Sequence, residues 1–175
     1  MSKTTEEIIY RGRILDLARE THSMPDGREA HFEVIHHPGG AAALPVLEDG
    51  QLLLIRQFRP AIDDYIYEIP AGRLEVGETA VFCIERELQE EVGYHPNRVE
   101  SLGYVYSSVG FCNERIYLFI VTELQKTATA HEVDEFIEPV IVTLDAALEM
   151  VSAGTITDAK TQIALLRYAL LSRDK

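Results

Sequence analysis

Positive charge, cysteine and long apolar runs are all scarce in this chain. Sixteen lysines and arginines stand against 29 acidic residues, a formal charge of −13. That balance excludes a broad electrostatic hold on nucleic acid or on an anionic membrane, so an anionic ligand has to be met locally, by a cation or by placed arginines. The two cysteines, Cys83 and Cys112, lack metal-ligand spacing and are too few for a disulfide framework; reduced thiols are expected, Cys83 as core filler and Cys112 in a loop. No apolar run reaches the roughly 20 residues of a membrane span, and the N-terminal MSKTTEE lacks the basic-then-apolar pattern of a signal peptide, so the cytosol is the expected compartment. Repeats, low-complexity segments and domain linkers are also missing. What remains is an ordinary globular composition, 46% hydrophobic and 26% charged, over 175 residues, a length that suits one domain around one core.

The informative stretch is Gly72 to Tyr94, GRLEVGETAVFCIERELQEEVGY. From about Thr79 to Val92 the apolar residues Val81, Ile84, Leu88 and Val92 recur at helical steps and predict one buried stripe. Glu87, Glu90 and Glu91 share a neighbouring arc. Like charges three and four residues apart repel by a few tenths of a kcal/mol per pair in water, so a helix needing only solubility would scatter them. A hard, oxygen-bound cation turns that repulsion into coordination, and Mg²⁺ or Mn²⁺ is usually held by a few carboxylates together with a substrate's phosphates. Arg86, four before Glu90, is placed to fix a carboxylate rotamer. Ala71 can offer a backbone carbonyl, Gly72 and Gly77 give permissive backbone, and Gly93 stands where a helix C-cap is expected.

Around this helix the order of elements is strands, one helix, more strands, then helices, which implies an α+β arrangement with a mixed sheet. Ile8–His22 and Arg28–His37, joined by a turn at Met24-Pro25-Asp26-Gly27, read as an N-terminal antiparallel hairpin. Pro38-Gly39-Gly40 ends it. Ala41–Leu47 and Gln51–Phe58, turning at Glu48-Asp49-Gly50, read as a second hairpin. Strands follow at Glu100–Tyr106, Ile116–Leu124 and Pro139–Thr143, and helices at Leu144–Val151 and after Asp158. Arg56 and Arg59 leave the Gln51–Phe58 strand close to the acidic helix in sequence, and their planar guanidinium groups suit phosphate or base contact. Glu68 reads either as a strand-end charge or as a partner for one of them.

Gly72, five residues, Glu78, seven residues, then Arg86-Glu87-Leu88, any residue, Glu90-Glu91, any residue and Gly93 resemble the signature of the Nudix hydrolases. Tyr94 departs mildly from the usual aliphatic residue. Eight fixed identities at roughly 5–7% each make a chance match at a given start rarer than about one in a billion. The resemblance implies a Nudix-type α/β/α sandwich with a mixed sheet over residues 41–175, preceded by an N-terminal strand region, residues 1–40, as part of the same domain. It further implies metal ligands at Ala71, Glu87, Glu90 and Glu91. RQFRP at Arg56–Pro60, EIPAG at Glu68–Gly72 and a later acidic loop look like the ADP-ribose pyrophosphatase branch, whose members typically form dimers through N-terminal strands. A third motif of that branch, similar to SPGFTDE, is met by Gly110, Phe111 and Glu114; Val109 replaces its proline and Asn113 an acid, which leaves the choice of base and sugar open.

The expected activity is therefore Mg²⁺-dependent hydrolysis, with Mn²⁺ as a substitute, of the pyrophosphate bond in a nucleoside diphosphate sugar. ADP-ribose, giving AMP and ribose 5-phosphate, leads; GDP-mannose or another nucleotide sugar is the alternative, and a non-catalytic nucleotide-sugar sensor the reading from another class. Arg56, Arg59, Glu68, Gly110, Phe111, Glu114 and Phe32 are the expected substrate contacts, with Tyr10 beside Phe32 as a base-stacking candidate across a homodimer interface. Metal-bound carboxylates are already engaged as acceptors, so a separate base is expected. The loop Lys126–Phe136 offers Glu132, Asp134 and Glu135; Glu135 fits the branch's acidic pattern as base or further metal ligand, with Glu132 next.

Overall fold

The structure is a computed structural model and describes residues 1–128 and 136–173. It divides into two compact units, one of residues 1–39 with 106–115, the other of residues 40–105 with 116–175.

The first unit is built on an antiparallel meander of β1 (Ser2–Arg11), β2 (Asp16–Ser23) and β3 (Glu29–His36). The expected turn at Met24–Gly27 forms: the Gly27 amide donates to the Met24 carbonyl at 3.0 Å, and Gly27 takes φ +84°, which side chains rarely adopt. The first arm, expected as one strand from Ile8 to His22, is instead two. The chain reverses at Gly12, whose amide donates to the Leu15 carbonyl at 2.9 Å and where a Cβ would lie 2.7 Å from that oxygen. The hairpin thus gains β1 on the outer edge of β2, paired from Ser2 opposite Ser23 to Arg11 opposite Asp16, with the register shifting between Lys3 and Thr5 and between Ile8 and Tyr10. Across these strands Lys3 bridges Glu6 at 3.0 Å and Glu20 at 3.1 Å, and His22 meets Glu20 at 2.7 Å.

In the second unit β4 (Gly40–Pro45) runs parallel to β9 (Arg115–Lys126) and antiparallel to β7 (Ala71–Arg73), and with β8 (Tyr94–Tyr106) these make a mixed sheet ordered β7-β4-β9-β8. A second sheet, β10-β5-β6, is antiparallel, with β5 (Leu52–Arg59) between β10 (Ile137–Val142) and β6 (Asp64–Glu68). Helix α1 (Ala80–Val92) covers one face; α2 (Leu144–Ser152) and α3 (Ala159–Arg173) cover the other. The two-residue period of the strands makes the layers: Ala41, Ala43, Leu53, Ile55, Phe119 and Val121 pack with Cys83, Ile84 and Leu88 of α1. Their neighbours Ala42, Leu44, Leu52, Leu54 and Leu118 pack with Ala147, Ala164 and Leu165 of α2 and α3. This is the expected α/β/α sandwich.

Two local expectations change. The turn at Glu48–Gly50 closes, with the Gly50 amide on the Leu47 carbonyl at 2.9 Å, but its arms do not form a hairpin: beyond one bridge, Val46 to Leu52, β4 and β5 enter different sheets. β4 is buried along its whole length and lies between β7 and β9, and β5 lies between β6, which follows it directly, and the distant β10; turn chemistry at Glu48–Gly50 cannot specify such partners. On α1, Val81 in the first turn is 39% exposed, and the buried face is Cys83, Ile84, Leu88 and Val92 together with two acids, Glu87 and Glu91.

Candidate active site

Helix α1 starts at Thr79, whose hydroxyl caps the Phe82 amide at 3.3 Å, and stops at Gly93, left-handed at φ 68° and bonded back to Gln89 and Leu88. Between these caps the helix lays Glu87 and Glu91 against β7. The Ala71 amide donates to Glu91 Oε2 at 3.1 Å, and Glu91 is 1% exposed. A Cβ on Gly72 would fall 1.6 Å from Glu87 Oε1, so the residue beside that carboxylate has to be glycine. Cys83, in the turn before, points its thiol at the Gly72 and Arg73 carbonyls. Burial, then the charges of Glu87 and Glu78, push that thiol up to about 12, which leaves it a packing residue.

Arg86 is the hub of the acidic face. Its guanidinium donates to Glu87 Oε1 at 2.7 Å, Glu90 Oε2 at 3.0 Å, Glu78 Oε1 at 3.1 Å and the Arg73 carbonyl at 3.3 Å. Burial works against its charge, but the Glu78 hydrogen bond and the Glu87 charge outweigh that and raise its pKa. Glu78 answers in kind: burial raises its carboxyl, and the Arg86 bonds bring it below the ordinary range. Glu78 also accepts the Glu75 amide at 2.9 Å, so the loop into α1 closes on the same carboxylate.

A second charged network stands beside the first. Arg59, at the end of β5, grips Glu68 with two parallel bonds, Nε to Oε1 at 2.5 Å and Nη2 to Oε2 at 2.8 Å. Glu68 is 1% exposed and also accepts from Lys160, which lies 3.0 Å from Asp158. Burial pushes the Glu68 carboxyl up, while the Arg59 bonds and the Lys160 charge prevail and hold it low. The Glu68 bonds, with smaller contributions from the charges of Glu91 and Asp158, raise the pKa of Arg59. Arg59 therefore lies within electrostatic reach of the acidic face. Arg56 does not share this setting: it pairs with Glu138 of β10 at 3.1 Å and lies 4.4 Å over the Tyr65 ring.

The remaining expected contacts belong to the first unit. Phe32 is 44% exposed and meets His22 edge-on at 5.3 Å. The segment carrying Gly110, Phe111 and Glu114 is stitched to the end of β3: the Ile35 amide donates to the Phe111 carbonyl at 2.7 Å and the Asn113 amide to the Ile35 carbonyl at 3.1 Å. Asn113 Oδ1 accepts the His37 amide at 2.8 Å, a task an aspartate at that position would also perform. Glu114 Oε1 lies 3.4 Å from His37 Nδ1, and Val109 and Phe111 are exposed. Glu132, Asp134 and Glu135 lie outside the described residues. Glu6, Glu20 and His36 bring possible ligand atoms within 4.8 Å of one another, but Lys3 already spans the two acids.

The donors on α1 fit a hard divalent cation. Glu87 and Glu90, with Glu78 of the loop before the helix, converge on a single guanidinium, which offsets one of their charges, and the fully buried Glu91 adds another. A carboxylate has about four acceptor positions, so a cation can share Glu87 and Glu91 with the groups that orient them. The glycine at 72 keeps clear the space that a side chain would take from Glu87.

An α/β/α sandwich with this acidic helix has the build of a hydrolase of phosphate anhydrides. The NUDIX domain model matches residues 36–162, and the chain belongs to that family, whose members generally use divalent metal ions. An ADP-ribose pyrophosphatase of Bacillus subtilis (strain 168) is 37% identical over 162 residues, covering 91% of this chain and 88% of that one. A methanol dehydrogenase activator of Bacillus methanolicus is 35% identical, covering 91% and 87%. A GDP-mannose pyrophosphatase of Cronobacter sakazakii (strain ATCC BAA-894) is 39% identical, covering 80% and 78%. The crystal structure of an ADP compounds hydrolase superposes with a TM-score of 0.86 over 99% of this chain and 94% of that chain; at 17% identity this shows the fold. Among the described residues no helix is long and apolar enough to cross a membrane.

Sequence reasoning missed Lys160 and Thr161 and used Asp158 only as a helix cap. A lysine in the first turn of a helix is ordinary surface chemistry in sequence; only the fold brings it to Glu68, 92 residues away.

Proposed function

We propose that the protein hydrolyses the pyrophosphate bond of a nucleoside diphosphate sugar, ADP-ribose first, adding water across P–O–P to give AMP and ribose 5-phosphate. The observation that carries this reading is the acidic face of α1, with Glu87 and Glu91 buried against Gly72 and Ala71 and one arginine among them. Glu87, Glu90, Glu91 and the Ala71 carbonyl would hold the cation, Mg²⁺ with Mn²⁺ as a substitute. Bound there, such a cation would offset phosphate charge and make water a better nucleophile. Arg86 fixes the rotamers of Glu87 and Glu90. Arg59, held by Glu68, meets the phosphoryl charge. Arg56 and Gly110, Phe111, Glu114 and Phe32 contribute to base and sugar. Glu135, with Glu132 next, takes the proton of the attacking water or joins the ligand set.

GDP-mannose is the second substrate reading, supported by the 39% identity to a GDP-mannose pyrophosphatase and by Val109 and Asn113, which depart from the ADP-ribose branch. The N-terminal strand region, residues 1–40, pairs with a second copy in a homodimer, since β1 is an exposed edge and such edges need a partner or cover. Two free thiols favour the cytosol. Comparing kcat/KM for ADP-ribose, GDP-mannose, nucleoside triphosphates and dinucleotides tests the substrate reading: ADP-ribose ranks first, and a triphosphate in first place rejects it. Light scattering at micromolar concentration tests assembly; an active monomer rejects it.

A further inference from the structure

Four consecutive residues, from the last of β6 to the first of β7, are pinned one by one. The Glu68 side chain holds Arg59 and Lys160; the Ile69 amide donates to Thr161 Oγ1 at 2.8 Å; the Pro70 carbonyl accepts the Ala43 amide at 3.0 Å; the Ala71 amide donates to Glu91 at 3.1 Å. This strut joins the first turn of α3 to the acidic face of α1. At its α3 end Asp158 is shared: Oδ2 accepts the Thr161 amide at 2.9 Å and hydroxyl at 2.6 Å, and Oδ1 lies 3.0 Å from Lys160.

We propose that Lys160 is a positioning residue of the hydrolytic site, acting through Glu68 to orient Arg59 and to leave the Arg59 charge available to substrate phosphate. Tying α3 to β6 does not require a cation here, because the neutral Thr161 to Ile69 bond already makes that link at the adjacent residue. Nor does Glu68 need Lys160 to be satisfied, because Arg59 already binds both of its oxygens. What Lys160 adds is charge. Its side chain is 12% exposed against 37% for Arg59, so of the two cations on Glu68 it is Arg59 that is more open to solvent. With Lys160 in place the Glu68 charge is divided between two partners. Without it, the whole carboxylate falls to Arg59 and the guanidinium is neutralised where it should meet an anion.

This inference rests on the proposed role of Arg59 toward phosphate. Lys160→Met should raise KM for ADP-ribose at least tenfold with kcat within threefold of the parent, and Lys160→Arg should restore KM to within threefold. In an Arg59→Ala background Lys160→Met should change KM less than twofold. An unchanged KM in folded Lys160→Met, or an equal increase in the Arg59→Ala background, overturns the proposal. Lys160→Gln, whose amide can still donate to Glu68, carries the same expectation if the methionine variant does not fold; failure of both to fold assigns Lys160 to stability and overturns it as well. If the parent does not hydrolyse ADP-ribose, the functional reading falls first, and the ¹⁵N resonance of Arg59 Nε decides this inference alone. It should shift or broaden in the neutral variant, and an unmoved resonance refutes the coupling.

Discussion

Replacing Gly72 by alanine tests whether the acidic face is built to sub-ångström tolerance. The added methyl would sit 1.6 Å from Glu87 Oε1, 1.9 Å from Cδ and 2.4 Å from Cγ. Retreating to even a 3.0 Å contact moves the Glu87 oxygen by about 1.4 Å. Glu87 is the mobile partner, since the backbone of Gly72 belongs to β7 and pairs with Ala41. Moving it breaks the 2.7 Å bond from Arg86 and with it the arrangement shared with Glu90. Misplacement by about 1 Å costs on the order of 10²-fold in rate, while overpacking costs about 1–3 kcal/mol, or roughly 2–12 °C in Tm. Gly72→Ala should therefore remain folded at 25 °C, lose about 10²-fold in kcat and bind Mn²⁺ at least tenfold more weakly by calorimetry. Values of kcat and Mn²⁺ affinity both within threefold of the parent would refute the account of this glycine.

Glu90→Gln and Glu91→Gln should each lower kcat by 10² or more at saturating Mg²⁺; Glu91, being 1% exposed rather than part-exposed, should also lower Tm, so thermal melts separate the two. Glu20, Glu68 and Glu78 all have folded pKa values below the unfolded value of 4.5, so the unfolded chain takes up their protons first as pH falls. Their contribution is full above pH 4.5 and is lost below it, as pH passes through the lower folded values, and urea midpoints at pH 7, 5, 4 and 3 should fall mainly below pH 5. Glu135→Gln or Glu132→Gln should lower kcat by 10²–10⁴-fold across the pH profile; if both stay within threefold, the loop supplies no base.

Much of this molecule is legible in its sequence because local chemistry and global fold agree. The C-cap of α1 at Gly93, the glycine at 72 and the arginine among glutamates are local features, and each stands where the pattern places it. What the pattern could not supply is pairing across distance. The turn at Gly50 predicts a reversal whether or not its arms pair, and here β4 and β5 go to separate sheets. Apolar periodicity alone defines the stripe on α1 and leaves Glu87 and Glu91 on the neighbouring arc, whereas in the fold both acids are buried within it. Arg56 and Arg59 look equivalent in sequence; Glu68 and Lys160 distinguish them only in three dimensions.

The central claim is hydrolysis of a nucleotide sugar by the acidic face of α1, and the direct measurement is AMP release from ADP-ribose, resolved by chromatography, with Mg²⁺, with excess chelator and with Glu91→Gln. The account predicts AMP and ribose 5-phosphate in equal amounts with Mg²⁺, and loss of both in the other two conditions. Tight binding of ADP-ribose or GDP-mannose with no product from either, or full turnover in chelator, would contradict it.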